Sequence, residues 1–215
     1  MNKLFPMFVN LHAKPCTVIG GGAIAFRKIL GLLECDACVR VISPGAIPQV
    51  LQLFHEKKID LVERAYQQDD ITGAFLVVAA TNDMEVNTQI FHDCAARNIL
   101  CNVVDKPHLC NFYYAATYTR GNLKIAISTN GVAPALARKI TTDLANLYPE
   151  EFESYLEYLR RIRETVKEKI PEESTRYAIL KNIAADSSIL TRCKDERFRQ
   201  QIASLDYFRE VEKWL

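Results

Sequence analysis

The chain has 215 residues, 49% of them hydrophobic and 25% charged, a composition close to that of globular proteins and unlike that of long disordered chains, collagens or coiled-coil rods. Lys and Arg number 27 against 26 Asp and Glu, a formal charge of +1, which speaks against a protein that binds by neutralising nucleic-acid phosphates. The length suits one large domain or one domain with an appendage.

Cys16-Thr17-Val18-Ile19 is a short β-favouring run that ends in Gly20-Gly21-Gly22; Ile24, Ile29, Leu30, Leu32 and Leu33 then recur at helical spacing over Ala23 to Glu34. Val39 to Ile42 predicts a second strand, stopped by Ser43-Pro44-Gly45 and followed by Ile47, Val50, Leu51 and Phe54 at helical spacing. Leu61-Val62 is a weaker third strand. Phe75 to Ala79 is apolar on both faces, as in a strand covered by helices on two sides, and Val86, Ile90, Cys94 and Ala95 follow on a helix. Ile99 to Val104 closes the series. Alternating β and α segments predict an α/β fold, a Rossmann-like doubly wound parallel sheet, over residues 1–113.

The pattern changes after Asp105-Lys106-Pro107. Phe112 to Thr119 and Leu123 to Ser128 predict two strands joined at Arg120-Gly121-Asn122, and Pro134 opens an Ala/Leu-rich helix. Residues 114–150 therefore form a small α+β region, expected to serve dimerisation and substrate binding. From Glu151 a helical stripe runs through Phe152, Tyr155, Leu156, Leu159, Ile162, Val166 and Ile170, and Phe198, Ile202, Leu205, Phe208 and Val211 repeat it. Residues 151–215 are expected to be a helical carboxyl-terminal domain. Those stripes are wider than a thin appendage can bury alone, so a homodimer is expected.

Seven cysteines without regular spacing suit a reducing cytoplasm rather than a secreted disulfide framework. Neither an export signal nor a membrane anchor is expected, because Ala74 to Ala80 is the longest apolar run and residues 1–13 are interrupted by Pro6 and Asn10. No nucleic-acid or membrane partner is expected.

Gly20-Gly21-Gly22-Ala23-Ile24-Ala25 fits G-x-G-x-x-A between a strand and a helix, where a dinucleotide pyrophosphate approaches the backbone at a helix N-terminus. Gly20, Gly22, Ala23 and Ile24 are the cofactor candidates, with Ser43, Pro44 and Gly45 at the second strand end and Thr81 after the fourth. The acidic residue that usually holds the ribose hydroxyl is absent, so these residues leave NAD and NADP open. Asp105, after the fifth strand, is the acid/base candidate; a turn-forming Asp is the plainer reading of the same position. Ser128, Thr129, Arg120 and Arg138 are the candidates for substrate carboxylates, with Lys124 and Lys139 nearby. Cys35 and Cys38 have C-x-x-C spacing but sit at the wrong edge of the sheet, His108 is a lone imidazole near Asp105, and no fixed metal site is expected.

Together these segments resemble the precorrin-2 dehydrogenase family, the NAD-dependent part of siroheme synthase. Phe5-Pro6-Met7-Phe8 looks like its lead into the first strand, and Gly20 to Lys28 is similar to its G-G-G-x-V-A-x-R-K turn. Ala79 to Asp83 with Asn87 resembles A-A-T-x-D-x-x-x-N. Cys101 to Asp105 with Pro107 resembles C-N-V-V-D-x-P, and Ile127 to Ala137 resembles I-S-T-x-G-x-S-P-x-L-A. Ala133, Asn130, Ala115 and Lys106 depart from the usual residues. The resemblance implies oxidation of precorrin-2 to sirohydrochlorin with NAD as hydride acceptor, Asp105 as the catalytic aspartate, and an interlocked homodimer. It leaves iron insertion open, with dehydrogenation alone preferred; a methyltransferase domain is not expected in 215 residues. A non-catalytic NAD sensor with a helical relay tail is the alternative.

Overall fold

A computed structural model describes residues 4–214; residues 1–3 and 215, which the expectations about the two ends of the chain touch, lie outside it. Two compact units meet in sequence between Tyr114 and Ala115.

The first unit holds β1 (Pro15–Ile19), α1 (Ala23–Leu33), β2 (Cys38–Ile42), α2 (Pro48–His55), β3 (Asp60–Val62), β4 (Leu76–Ala79), α3 (Met84–Ala96) and β5 (Leu100–Val103). The strands pair in parallel in the order β3-β2-β1-β4-β5. The chain winds outward from β1 to β3, then crosses back to β4. The order reverses between β1 and β4, and in open α/β sheets such a switch point opens a ligand crevice at the strands' carboxyl ends.

Alternating side chains give the sheet its two layers. Cys16, Val18, Val39, Val41, Leu76 and Val78 pack with Ala25, Ile29 and Leu32 of α1 and Val50 and Leu53 of α2. Ile19, Ile42, Val77, Ala79, Cys101 and Val103 pack on the other face with Ile90 and Cys94 of α3. Every residue of β4 is buried, which explains its unbroken apolar run. Asp83 caps α3, its carboxylate accepting from the N–H groups of Glu85 and Val86.

The second unit begins with the antiparallel pair β6 (Ala116–Arg120) and β7 (Leu123–Ile127). Gly121 makes their turn at φ +51, a left-handed conformation that suits glycine. Helix α4 (Pro134–Leu147) packs on β6, and the buried Tyr118 hydroxyl donates to the carbonyl of Tyr148. The remaining helices are α5 (Glu151–Lys169), α6 (Glu173–Ala185), α7 (Ser187–Arg192), α8 (Glu196–Gln201) and α9 (Tyr207–Glu212). Tyr155, Tyr158, Ile162 and Val166 of α5 form a core with Ile179, Ile183, Ile189, Phe198, Ile202, Tyr207 and Val211. Among the described residues, no helix is long and apolar enough to cross a membrane.

Two expectations need correction. The strand expected from Phe112 begins at Ala116: the Phe112 carbonyl accepts instead from the Asn102 side chain of β5, and Asn111 just before it bonds Cys101 and Ile99. The stripe expected over Phe198 to Val211 is broken by a 3-10 turn at Ile202–Ser204 and restarts when Asp206 caps α9. That restart shifts the phase, so Tyr207 is buried and Phe208 is 41% exposed.

Candidate active site

The three glycines after β1 answer three different needs. Gly20 has φ +118, and a Cβ there would collide with the carbonyl oxygen of Ala80. At Gly21 a Cβ would strike the Gly45 carbonyl and come within 3.0 Å of Ser43 Oγ. Protein packing therefore accounts for both. Gly22 has φ −87 and ψ −176, ordinary extended backbone, and a Cβ there would meet nothing within 4 Å. Neither conformation nor packing demands glycine at this position. The missing side chain leaves the backbone here open to the approach of a ligand.

Gly22 is also the N-cap of α1, whose first turn has no side-chain cap and no acidic residue. The first intrahelical bond runs from Phe26 N–H to Gly22 C=O at 2.9 Å, so the N–H groups of Ala23, Ile24 and Ala25 precede it. They face the exposed end of the turn, suited to an anion. A dinucleotide pyrophosphate fits this cradle.

At the carboxyl end of β2, Ser43 is buried and its hydroxyl donates to Gly45 C=O at 2.6 Å, while Ile47 N–H donates to Gly21 C=O at 2.9 Å. This loop shapes the turn from below. Pro44 and Gly45 are exposed beside it. After β4, the Thr81 hydroxyl lies 2.8 Å from Asn87 Oδ1, to which it donates, and Asn87 Nδ2 donates to Thr81 C=O at 3.0 Å. Thr81 thus fixes the second wall of the switch point.

Asp105 is exposed in the turn after β5, at φ +59, a conformation that Asp tolerates better than most residues. The following segment is stapled back along the strand. Asn111 Oδ1 accepts from Cys101 N–H at 2.7 Å, and its Nδ2 donates to Ile99 C=O at 2.9 Å. Asn102 Nδ2 donates to Phe112 C=O at 3.1 Å, and the Cys110 thiol lies 3.3 Å from the carbonyls of Val103 and Lys106. Asn111→Ala removes two of these ties and is expected to cost about 1–3 kcal/mol, read as a lowered denaturation midpoint.

Within the second unit, Ser128 Oγ accepts from Asn130 N–H at 3.1 Å and Thr129 Oγ1 from Ala133 N–H at 3.1 Å, shaping the loop into α4. Arg120 Nε donates to the Tyr118 hydroxyl at 3.3 Å. Arg138 is exposed on α4. Lys139 is engaged by Asp143 at 2.6 Å and is a weaker candidate than Arg138.

Cys35 and Cys38 flank the turn into β2, at the amino ends of the strands. Cys38 borders a groove of about 400 Å³ with Cys16, Arg40 and Lys58, at the opposite end of the sheet from Gly22. Burial, then the neighbouring Cys38 and Cys35, push the Cys16 thiol up to about 11, so it is no nucleophile at neutral pH. Sequence reasoning missed Gly21, whose partner at Gly45 lies on another loop, and Lys28 with Tyr114, whose Nζ and ring centroid lie 3.5 Å apart.

Residues 7–116 match a family model described as "Putative NAD(P)-binding", and residues 120–146 match one described as "Sirohaem biosynthesis protein central". The chain belongs to the family whose model is described as "Putative NAD(P)-binding", which covers about half of its residues. A siroheme synthase of Methylobacillus flagellatus is 38% identical over 167 residues, 78% of this chain and 36% of that protein. One of Actinobacillus pleuropneumoniae is 31% identical over 206 residues, 96% of this chain and 42% of that protein. The chain thus spans less than half the length of these curated relatives. A solved structure described as "SirC, precorrin-2 dehydrogenase" shares the fold, with a TM-score of 0.78 and 24% identity over 98% of this chain and all of that one. Membership of that family makes an NAD(P) dinucleotide the cofactor of residues 7–116.

Proposed function

We propose that this siroheme synthase homologue oxidises precorrin-2 to sirohydrochlorin, with NAD rather than NADP. The observation that carries the reading is Gly22, where neither φ nor packing calls for glycine and the backbone is open to a ligand, beyond the carboxyl end of a strand as Asp105 is. NAD, when bound, supplies the hydride acceptor. The remaining proton goes to the Asp105 carboxylate, held in the turn by the Asn102 and Asn111 staples. Ser128, Thr129, Arg120 and Arg138 are proposed to meet the polar and carboxylate groups of the tetrapyrrole. Residues 1–113 then bind the cofactor, 114–150 serve substrate and dimer contacts, and 151–215 form the helical part. A non-catalytic sensor would need no aspartate at the strand end, so that alternative is not favoured. Supplied with precorrin-2 and either NAD or NADP, the protein is expected to produce the sirohydrochlorin spectrum with NAD; no product with either would overturn the reading.

A homodimer is part of the proposal. The β6–β7 pair has no third strand among the described residues, and two-stranded sheets are marginal on their own. Val132, Leu136 and Leu147 are 74%, 50% and 68% exposed, an apolar surface that a second copy would cover. Light scattering is expected to report twice the chain mass of 24.4 kDa; the single-chain mass would contradict it. The cytoplasm is the proposed location, where the seven cysteines, free among the described residues, remain reduced.

A further inference from the structure

Lys28 lies on α1, five residues beyond the start of the helix. Its ammonium sits 3.5 Å from the centroid of the Tyr114 ring, a direct cation–π contact that fixes the end of an otherwise flexible side chain. Tyr114 is held in turn by Phe112, whose ring centroid is 5.3 Å away, and Phe112 packs against the core under α1. Among the described residues, the Lys28 ammonium has no hydrogen-bond acceptor and no carboxylate within ion-pair distance. Burial lowers its pKa, neighbouring Arg27 adds to that, and the charges of Asp105 and Cys110 pull it back up. Lys28 is therefore an oriented, half-buried cation with no ion-pair partner among the described residues.

A surface lysine extends its charged end into water. Lys28 instead lays that end on an aromatic face, where a partner anion would complete it. The dinucleotide phosphates are served by the N–H groups at the start of α1, so the missing anion belongs to the other ligand. We propose that Lys28, held by Tyr114, binds a carboxylate of the tetrapyrrole and so determines which ring edge meets Asp105. This rests on the proposed oxidation of precorrin-2. Lys28 is then a substrate-binding residue and Tyr114 a positioning residue.

Steady-state kinetics with precorrin-2, together with equilibrium binding of sirohydrochlorin and of NAD, test it. Lys28→Met is expected to raise the KM for precorrin-2 and the Kd for sirohydrochlorin roughly 10–100-fold, the range of one charge-assisted hydrogen bond. Its kcat should change little and its Kd for NAD not at all. Lys28→Arg should recover most of the loss, and Tyr114→Leu should shift KM in the same direction as Lys28→Met. Unchanged tetrapyrrole affinity in Lys28→Met would overturn the inference. So would an equal loss of NAD affinity, which marks a phosphate contact, or a fall in kcat alone, which marks an action on Asp105. If the unaltered protein binds sirohydrochlorin but does not oxidise precorrin-2, the proposed function fails while the Kd values still decide the role of Lys28. If it binds no tetrapyrrole at all, both fail.

Discussion

Asp105→Asn is expected to lower kcat for precorrin-2 oxidation about 10²–10⁴-fold, the usual contribution of a positioned general base, with the Kd for NAD unchanged. Asparagine has nearly the shape of aspartate and shares its tolerance of φ near +59, so the turn after β5 should persist. The ties through Asn102 and Asn111 use other atoms and stay in place. What is lost is the capacity to accept a proton. The measurement is single-turnover oxidation at saturating NAD, with a thermal melt confirming the fold. Turnover within a factor of three of the parent would move the base elsewhere.

Gly22→Val is expected to weaken NAD binding at least about 10–100-fold, the scale of a steric misfit of 1–3 kcal/mol, while the fold survives. The backbone at this position is already extended and a Cβ meets nothing within 4 Å, so the collision that a side chain meets at Gly20 is absent here. Losing glycine at the N-cap lowers stability by about 1 kcal/mol at most. Gly20→Val provides the contrast. Its φ of +118 and the Ala80 carbonyl in the path of a Cβ mean that this variant should fail in the melt before it fails in nucleotide binding. Equal NAD affinity in Gly22→Val and the parent, by titration calorimetry, would remove the pyrophosphate from this turn.

Local signals carried most of the first unit. A strand buried on both faces must be apolar throughout, and β4 is; a glycine turn between β1 and α1 announces the crevice whatever lies around it. Right-handed crossovers then limit how these elements can be wound, whereas the register and the reversal between β1 and β4 are set by the strand pairing itself. The same local signals misled at Phe112 to Ala115, where aromatic residues suggest a strand. The Phe112 carbonyl is held by Asn102 from ten residues upstream, and the rings of Phe112 and Tyr114 pack toward α1. Lys28 and Tyr114 stand 86 positions apart in the sequence, and no periodicity links them. The separate roles of Gly20, Gly21 and Gly22 were illegible for a related reason: a G-G-G run reports flexibility, whereas the neighbours at Ala80 and Gly45 decide which glycine is structural and which is left for a ligand.

The most direct test follows NADH and sirohydrochlorin together in one reaction of the purified protein with precorrin-2 and NAD. One NADH should form for each sirohydrochlorin, both losing their rate together in Asp105→Asn and Gly22→Val. Sirohydrochlorin formed without NADH, or at the same rate in both variants and without protein, would contradict an NAD-dependent oxidation at this site.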